Sequence, residues 1–155
     1  MRRHTRTAEE TADFGSQLAR TYPGGDDSFA VLYLEGELGA GKTTFAGGFL
    51  RALGVSEAVR SPTYTLVELY PVRGRNFVHV DLYRLRDPED VGSLGLRDWA
   101  RAGTVWLIEW PEKGGDRLPR PDLMVRFTVG TRGHDIEIDA RSATGQAWLG
   151  RLAAS

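Results

Sequence analysis

The sequence contains no cysteine, which removes disulfide staples, thiolate zinc sites and cysteine nucleophiles together. Lysine is nearly absent: Lys42 and Lys113 are the two in a chain whose remaining basic residues are all arginine. An excess of either charge is also missing, because 20 basic residues face 21 acidic ones and leave a net charge of -1. That balance argues against a nucleic-acid binder that works through a field over its whole surface. No apolar run approaches the roughly 18 residues of a membrane span, and the longest, Phe29 to Leu34, has the length of a strand. The basic start MRRHTRTAEETAD has no apolar segment behind it, so it does not read as a secretion signal, and the cytoplasm is the expected location. Arg2, Arg3 and Arg6 read as a frayed basic terminus. What is present is 155 residues with 41% apolar side chains, enough for a single domain, 1–155, with its own core.

The periodicities predict a mixed α/β chain. Thr7-Ala-Glu-Glu10 has capping-box spacing, and Phe14 and Leu18 follow at i and i+4, which predicts a helix over about 8–20. Phe29 to Leu34 has the continuous apolar character of a strand buried on both faces. Phe45, Phe49 and Leu53 recur at helical spacing after Lys42, and Gly47 and Gly48 within that helix imply close backbone packing. Tyr64–Tyr70 and Phe77–Tyr83 read as a hairpin joined by the six residues Pro71–Asn76. Asp87-Pro88 starts a short helix, Leu94 to Ala102 forms a second with Leu96 and Trp99 inward, and Thr104–Glu109 is a buried strand. Leu123, Val125, Phe127 and Val129, then Ile136 and Ile138, alternate in a late antiparallel pair around Gly130–Gly133. Trp148, Leu149 and Leu152 mark a terminal helix.

Gly36-Glu-Leu-Gly-Ala-Gly-Lys-Thr43 fits the phosphate-binding pattern G-x-x-x-x-G-K-[ST], with a strand before it and a helix after it. In such a loop the backbone N–H groups of Gly36, Glu37, Leu38, Gly39, Ala40, Gly41, Lys42, Thr43 and Thr44 face an anion at a helix N-terminus. Lys42 supplies charge to the phosphates, and the Thr43 hydroxyl can sit on magnesium. Hydrolysis also needs a carboxylate at a strand end to organise the metal and a group to position water. Asp81 and Glu109 each close an apolar strand and are the two candidates. Ser61-Pro62-Thr63 suits either a loop that closes on phosphate or metal, as switch segments do, or a plain strand entry. His79 reads as a packed or surface histidine, and Trp110 as either a partner contact or a lid on the core.

The segments Gly39–Phe45, Ser61–Val67, His79–Arg84 and Leu107–Glu112, in that order, resemble the motifs of the bacterial TsaE (YjeE) family. That family is the ATPase subunit of the machinery that makes N6-threonylcarbamoyladenosine (t6A) at position 37 of tRNA. The resemblance implies a P-loop NTPase fold: a mixed central sheet, flanking helices and a β-hairpin after the P-loop helix. It implies magnesium as cofactor, ATP and ADP as substrate and product, TsaB- and TsaD-like proteins as partners, and tRNA met only through that complex. It further implies a protein that is monomeric alone, with no membrane association and with slow turnover that partners stimulate. Residue by residue, Thr43 and Asp81 become metal ligands, and Glu109 a second metal or water-orienting carboxylate. Ser61 and Thr63 become switch residues and Trp110 a partner-sensing one, while Thr11 and Arg132 approach the nucleotide. Three other readings remain: a small-molecule kinase with a lid bearing Arg84, Arg86 and Arg97; a GTPase, which lacks the expected [NT]-K-x-D element; and an interaction module with a vestigial loop.

Overall fold

The computed structural model describes residues 1–25, 27–62 and 65–155; Thr63 and Tyr64 lie outside them. Seven strands form one sheet in the order β1-β7-β6-β2-β5-β4-β3. They are β1 (Arg2–Thr5), β2 (Ala30–Gly36), β3 (Val67–Val72), β4 (Arg75–Asp81), β5 (Thr104–Glu109), β6 (Leu123–Gly130) and β7 (Gly133–Ala140). The inner strands β6, β2, β5 and β4 are mutually parallel, and β1, β7 and β3 add antiparallel edges. In β5 all six residues are buried, as expected of a parallel strand covered on both faces.

Helices α1 (Ala8–Arg20), α2 (Lys42–Ala52) and α3 (Ala143–Ala154) cover one face. The Thr7 side chain caps α1 by accepting from Glu10 N at 3.1 Å, and Glu10 Oε2 accepts from Arg6 N at 2.6 Å, so the capping box holds the strand exit as well as the helix. Phe14 and Leu18 of α1 join Phe45 and Phe49 of α2 and Trp148 of α3 in one fully buried cluster. The opposite face is covered by 3₁₀ turns, Pro88–Leu94 and Leu96–Trp99 among them, whose Val91 and Leu96 pack on Val78, Val80 and Trp106. Among the described residues, no helix is long and apolar enough to cross a membrane.

Gly48 explains how α2 lies so close to α1. A Cβ at Gly48 would collide with the carbonyl oxygen of Ala12, and one at Gly15 with that of Phe45. Ser16 Oγ uses the proximity to donate to Gly48 O at 2.9 Å. The helical cost of a mid-helix glycine is offset by the contact its missing side chain permits.

The structure departs from the sequence reading in four places. Arg2–Thr5 is a strand rather than a frayed terminus, because it pairs with β7 from Arg2↔Glu137 to Thr5↔His134. The hairpin connection is two residues, not six. Pro71 and Val72 pair with Asn76 and Arg75, and Arg73 and Gly74 turn the chain at φ 50° and 81°, both of the sign that a tight hairpin turn requires. The short helices after Asp87 and Gly95 have 3₁₀ form. Val129 is 48% exposed, because β6 runs beyond the helical layer at its last three residues.

Candidate active site

β2 ends in Gly36, where the chain enters the loop; a side chain there would lie 2.7 Å from Phe127 O. The loop needs left-handed backbone at Gly39 (φ 78°) and at Gly41 (φ 102°), the N-cap of α2. No side chain caps that helix, so the N–H groups of its first turn point at the cleft uncommitted to a cap, with the positive end of the helix dipole behind them. Gly36, Glu37 and Ala40 frame the loop, while Leu38, Gly39 and Gly41 through Thr44 line a cleft of about 450 Å³. Ser61, Asp81, Glu109 and Trp110 close its other walls.

Lys42 is 4% exposed. Its Nζ donates to Gly36 O and Glu37 O, both at 2.7 Å, and lies 4.5 Å from the centroid of the Trp110 ring. Burial pushes its pKa below the usual 10.5, and the carboxylates of Glu109, Asp81 and Glu112 oppose the shift. Trp110 stands at φ 58°, a left-handed backbone that a bulky residue adopts only under constraint. Its ring is half-buried and packs 5.1 Å from that of Tyr83, while Lys113 Nζ donates to Tyr83 O at 2.6 Å and lies over both rings. The ring thus lines the cleft beside Lys42.

Asp81 and Glu109 are register partners at the ends of β4 and β5. Asp81 Oδ2 accepts from Ser61 Oγ, and Oδ1 accepts from Tyr83 N at 2.9 Å. Glu109 is 2% exposed and accepts from Thr43 Oγ1 at 2.9 and 3.1 Å. Behind it, His79 Nε2 stands 2.6 Å from Glu109 Oε2. His79 is thus a packed residue, as read, but one whose ring is aimed at the site. Strand parity carried that signal: with Val78 and Val80 on the 3₁₀ face, His79 and Asp81 must share the α2 face.

The donor set suits magnesium. A threonine hydroxyl beside a carboxylate, with a second carboxylate on the next strand, gives hard oxygen ligands, few enough to leave room for water and phosphate. Among the described residues no group of three or more His, Asp or Glu could hold an ion by itself. Thr11 lies behind the loop: its methyl would be 3.3 Å from a Cβ at Gly41, and its hydroxyl pairs with Thr5 Oγ1 at 2.8 Å. Arg132 stands exposed at the β6–β7 turn and does not line the cleft, and the His134 ring lies 4.0 Å from where a Cβ at Gly41 would be. Thr63 is outside the described residues.

A buried parallel strand, a glycine loop with left-handed turns, a helix opening on Lys42-Thr43 and carboxylates at neighbouring strand ends define a P-loop NTPase. The chain belongs to the TsaE family, described as threonylcarbamoyl adenosine biosynthesis protein TsaE, whose model matches residues 5–137. The protein of that name from Haemophilus influenzae is 44% identical over 75% of this chain and 73% of its own length. The one from Treponema pallidum is 35% identical over 86% and 96%. The crystal structure of Bacillus subtilis YdiB superimposes with a TM-score of 0.80 at 28% identity, covering 99% of this chain and 94% of that one. Family membership does not favour the small-molecule kinase reading.

Proposed function

We propose that this protein is a magnesium-dependent ATPase of the cytoplasm that serves t6A formation at tRNA position 37 by hydrolysing ATP to reset a TsaB–TsaD complex. The observation that carries the catalytic part is the convergence of Lys42, Thr43, Asp81 and Glu109 on one cleft at the mouth of the P-loop. The backbone N–H groups of Gly39 through Thr44 bind the phosphates, and Lys42 neutralises the charge that builds on the transferred group. Thr43 and Asp81 hold the metal, which when bound polarises the phosphate oxygens. Glu109 adds a second carboxylate to that shell or orients the attacking water. Ser61, bonded to Asp81, senses whether that carboxylate is engaged.

The pairing of these groups supports slow turnover by the isolated chain. Lys42 holds the loop's own carbonyls, Asp81 holds Ser61, and Glu109 holds Thr43. Each bond has to be exchanged before the group can serve a nucleotide, and partner binding that favours the exchanged arrangement raises the rate. Phosphate release from ATP, measured on the pure protein with and without its TsaB- and TsaD-like partners, tests this. Weak release that the partners stimulate is the expected result. Full stimulated turnover by Glu109→Ala would sink the catalytic assignment.

A further inference from the structure

The ring of His79 is fully buried, which a histidine does at a cost unless its polar atoms are used. A leucine would fill the same core position without that cost. The hydrogen bond the ring makes is to Glu109 Oε2 at 2.6 Å; among the described residues Nδ1 has no partner. A carboxylate oxygen accepts, so Nε2 carries the proton and donates it.

The bond is also placed differently from the others on Glu109. Thr43 approaches the carboxylate from the cleft, where its hydroxyl is needed for magnesium and can be drawn away. His79 approaches from within the sheet, between register partners Glu68 on β3 and Leu107 on β5, and does not line the cleft. Its hold on Oε2 therefore does not compete for the space of the cleft, and it sets the orientation of a carboxylate whose two oxygens Thr43 reaches from the other side.

We propose that His79 is a positioning residue for ATP hydrolysis: its buried imidazole clamps Oε2 of Glu109 and so holds the carboxylate turned toward Thr43 and the reacting phosphate. The inference rests on the ATPase reading above and assigns His79 no contact with substrate. Loss of a group that orients a metal-site or catalytic carboxylate typically costs about 10- to 100-fold in activity, with little change in ground-state binding.

The test is steady-state ATP hydrolysis by the protein with its partners, comparing wild type with His79→Gln, His79→Asn, His79→Leu, Glu109→Gln and the His79→Leu/Glu109→Gln double variant, alongside ADP affinity and thermal unfolding. Gln carries its N–H at about the reach of Nε2, whereas Asn ends near Nδ1. The expected result is a kcat about 10- to 100-fold lower for Leu and Asn, with KM and ADP affinity within about threefold, and recovery to within about threefold of wild-type kcat for Gln. In the Glu109→Gln background, His79→Leu should cause no further loss. If His79→Leu does not fold, His79→Asn carries the same expectation, and failure of both to fold overturns the proposal in favour of a purely structural role. A folded Leu or Asn variant with wild-type kcat, a loss confined to KM, or an added loss in the Glu109→Gln background also overturns it, leaving the ATPase reading intact. A wild-type complex that releases no phosphate overturns both.

Discussion

Asp81 and Glu109 face each other in register across β4 and β5, yet one is engaged by a loop and the other by the core: Asp81 holds Ser61 and the Tyr83 N–H, while Glu109 holds Thr43 and His79. Two carboxylates at equivalent strand positions are thereby tied to different parts of the molecule. Asp81 is tied to the loop that bears Ser61, and Glu109 to the first turn of α2 and to β4.

This difference predicts that the two carboxylates fail differently. Glu109→Gln should lower partner-stimulated kcat by about 100-fold or more with ADP affinity within about threefold, since the loss falls on the reacting state. Asp81→Asn should weaken magnesium-dependent nucleotide binding as well. Titration of ADP with and without magnesium, run beside the hydrolysis assay, separates them; a Glu109→Gln protein that lost both equally would contradict the assignment.

Lys42 gives a pH dependence with a definite sign. Burial lowers its pKa from the usual 10.5, so between the folded value and 10.5 the unfolded chain binds more protons than the folded one. The contribution of Lys42 to stability therefore rises with pH across that window. Nucleotide binding runs the other way: phosphate needs the charged amine, so ADP affinity should fall on the alkaline side at a pH below the ordinary lysine range. Isothermal titration at increasing pH checks this, and Lys42→Ala should bind weakly with the alkaline decline removed.

Gly48→Ala should destabilise the protein by about 2–4 kcal/mol, because the new methyl enters the space of Ala12 O and backbone, not a flexible side chain, must give way. Gly150→Ala, at a helical position where a Cβ meets nothing, should be neutral or stabilising by about 0.5–1 kcal/mol. Urea unfolding of the pair makes the comparison, and similar midpoints would refute the close approach of α1 and α2.

Trp110 offers a test of backbone constraint. At φ 58° a glycine is at ease and an alanine is not, so Trp110→Gly should be more stable than Trp110→Ala by about 1 kcal/mol, reversing the usual order. Both variants remove the ring from Lys42 equally, and thermal unfolding reads the difference.

Much of this was legible because local and tertiary demands agree. The Thr7 cap with Phe14 and Leu18 placed α1 at its observed bounds, and the run ending in Glu109 placed β5. Arg2–Thr5 carries no apolar alternation, and its strand exists because the outer edge of β7 is there to be paired, remote in sequence by 129 to 135 residues. Pro71 misled in the other direction: it reads as a loop residue, but β3 is an edge strand, where a missing N–H is tolerated. The P-loop, Asp81 and Glu109 could be read from spacing. The Lys42–Trp110 contact and the His79 bond could not, since both depend on which side chains two strand ends and a strained turn bring together.

The glycine contact between α1 and α2 also fixes where this molecule can yield. Gly41 rests against Thr11, α2 is seated on α1 through Gly48, and α1 is tied to α3 where Trp148 Nε1 donates to Leu18 O at 2.7 Å. The P-loop is thus backed by three helices packed on one another. Under the ATPase reading proposed above, a shape change that accompanies turnover would therefore fall on the opposite wall of the cleft, where Ser61 and Trp110 stand.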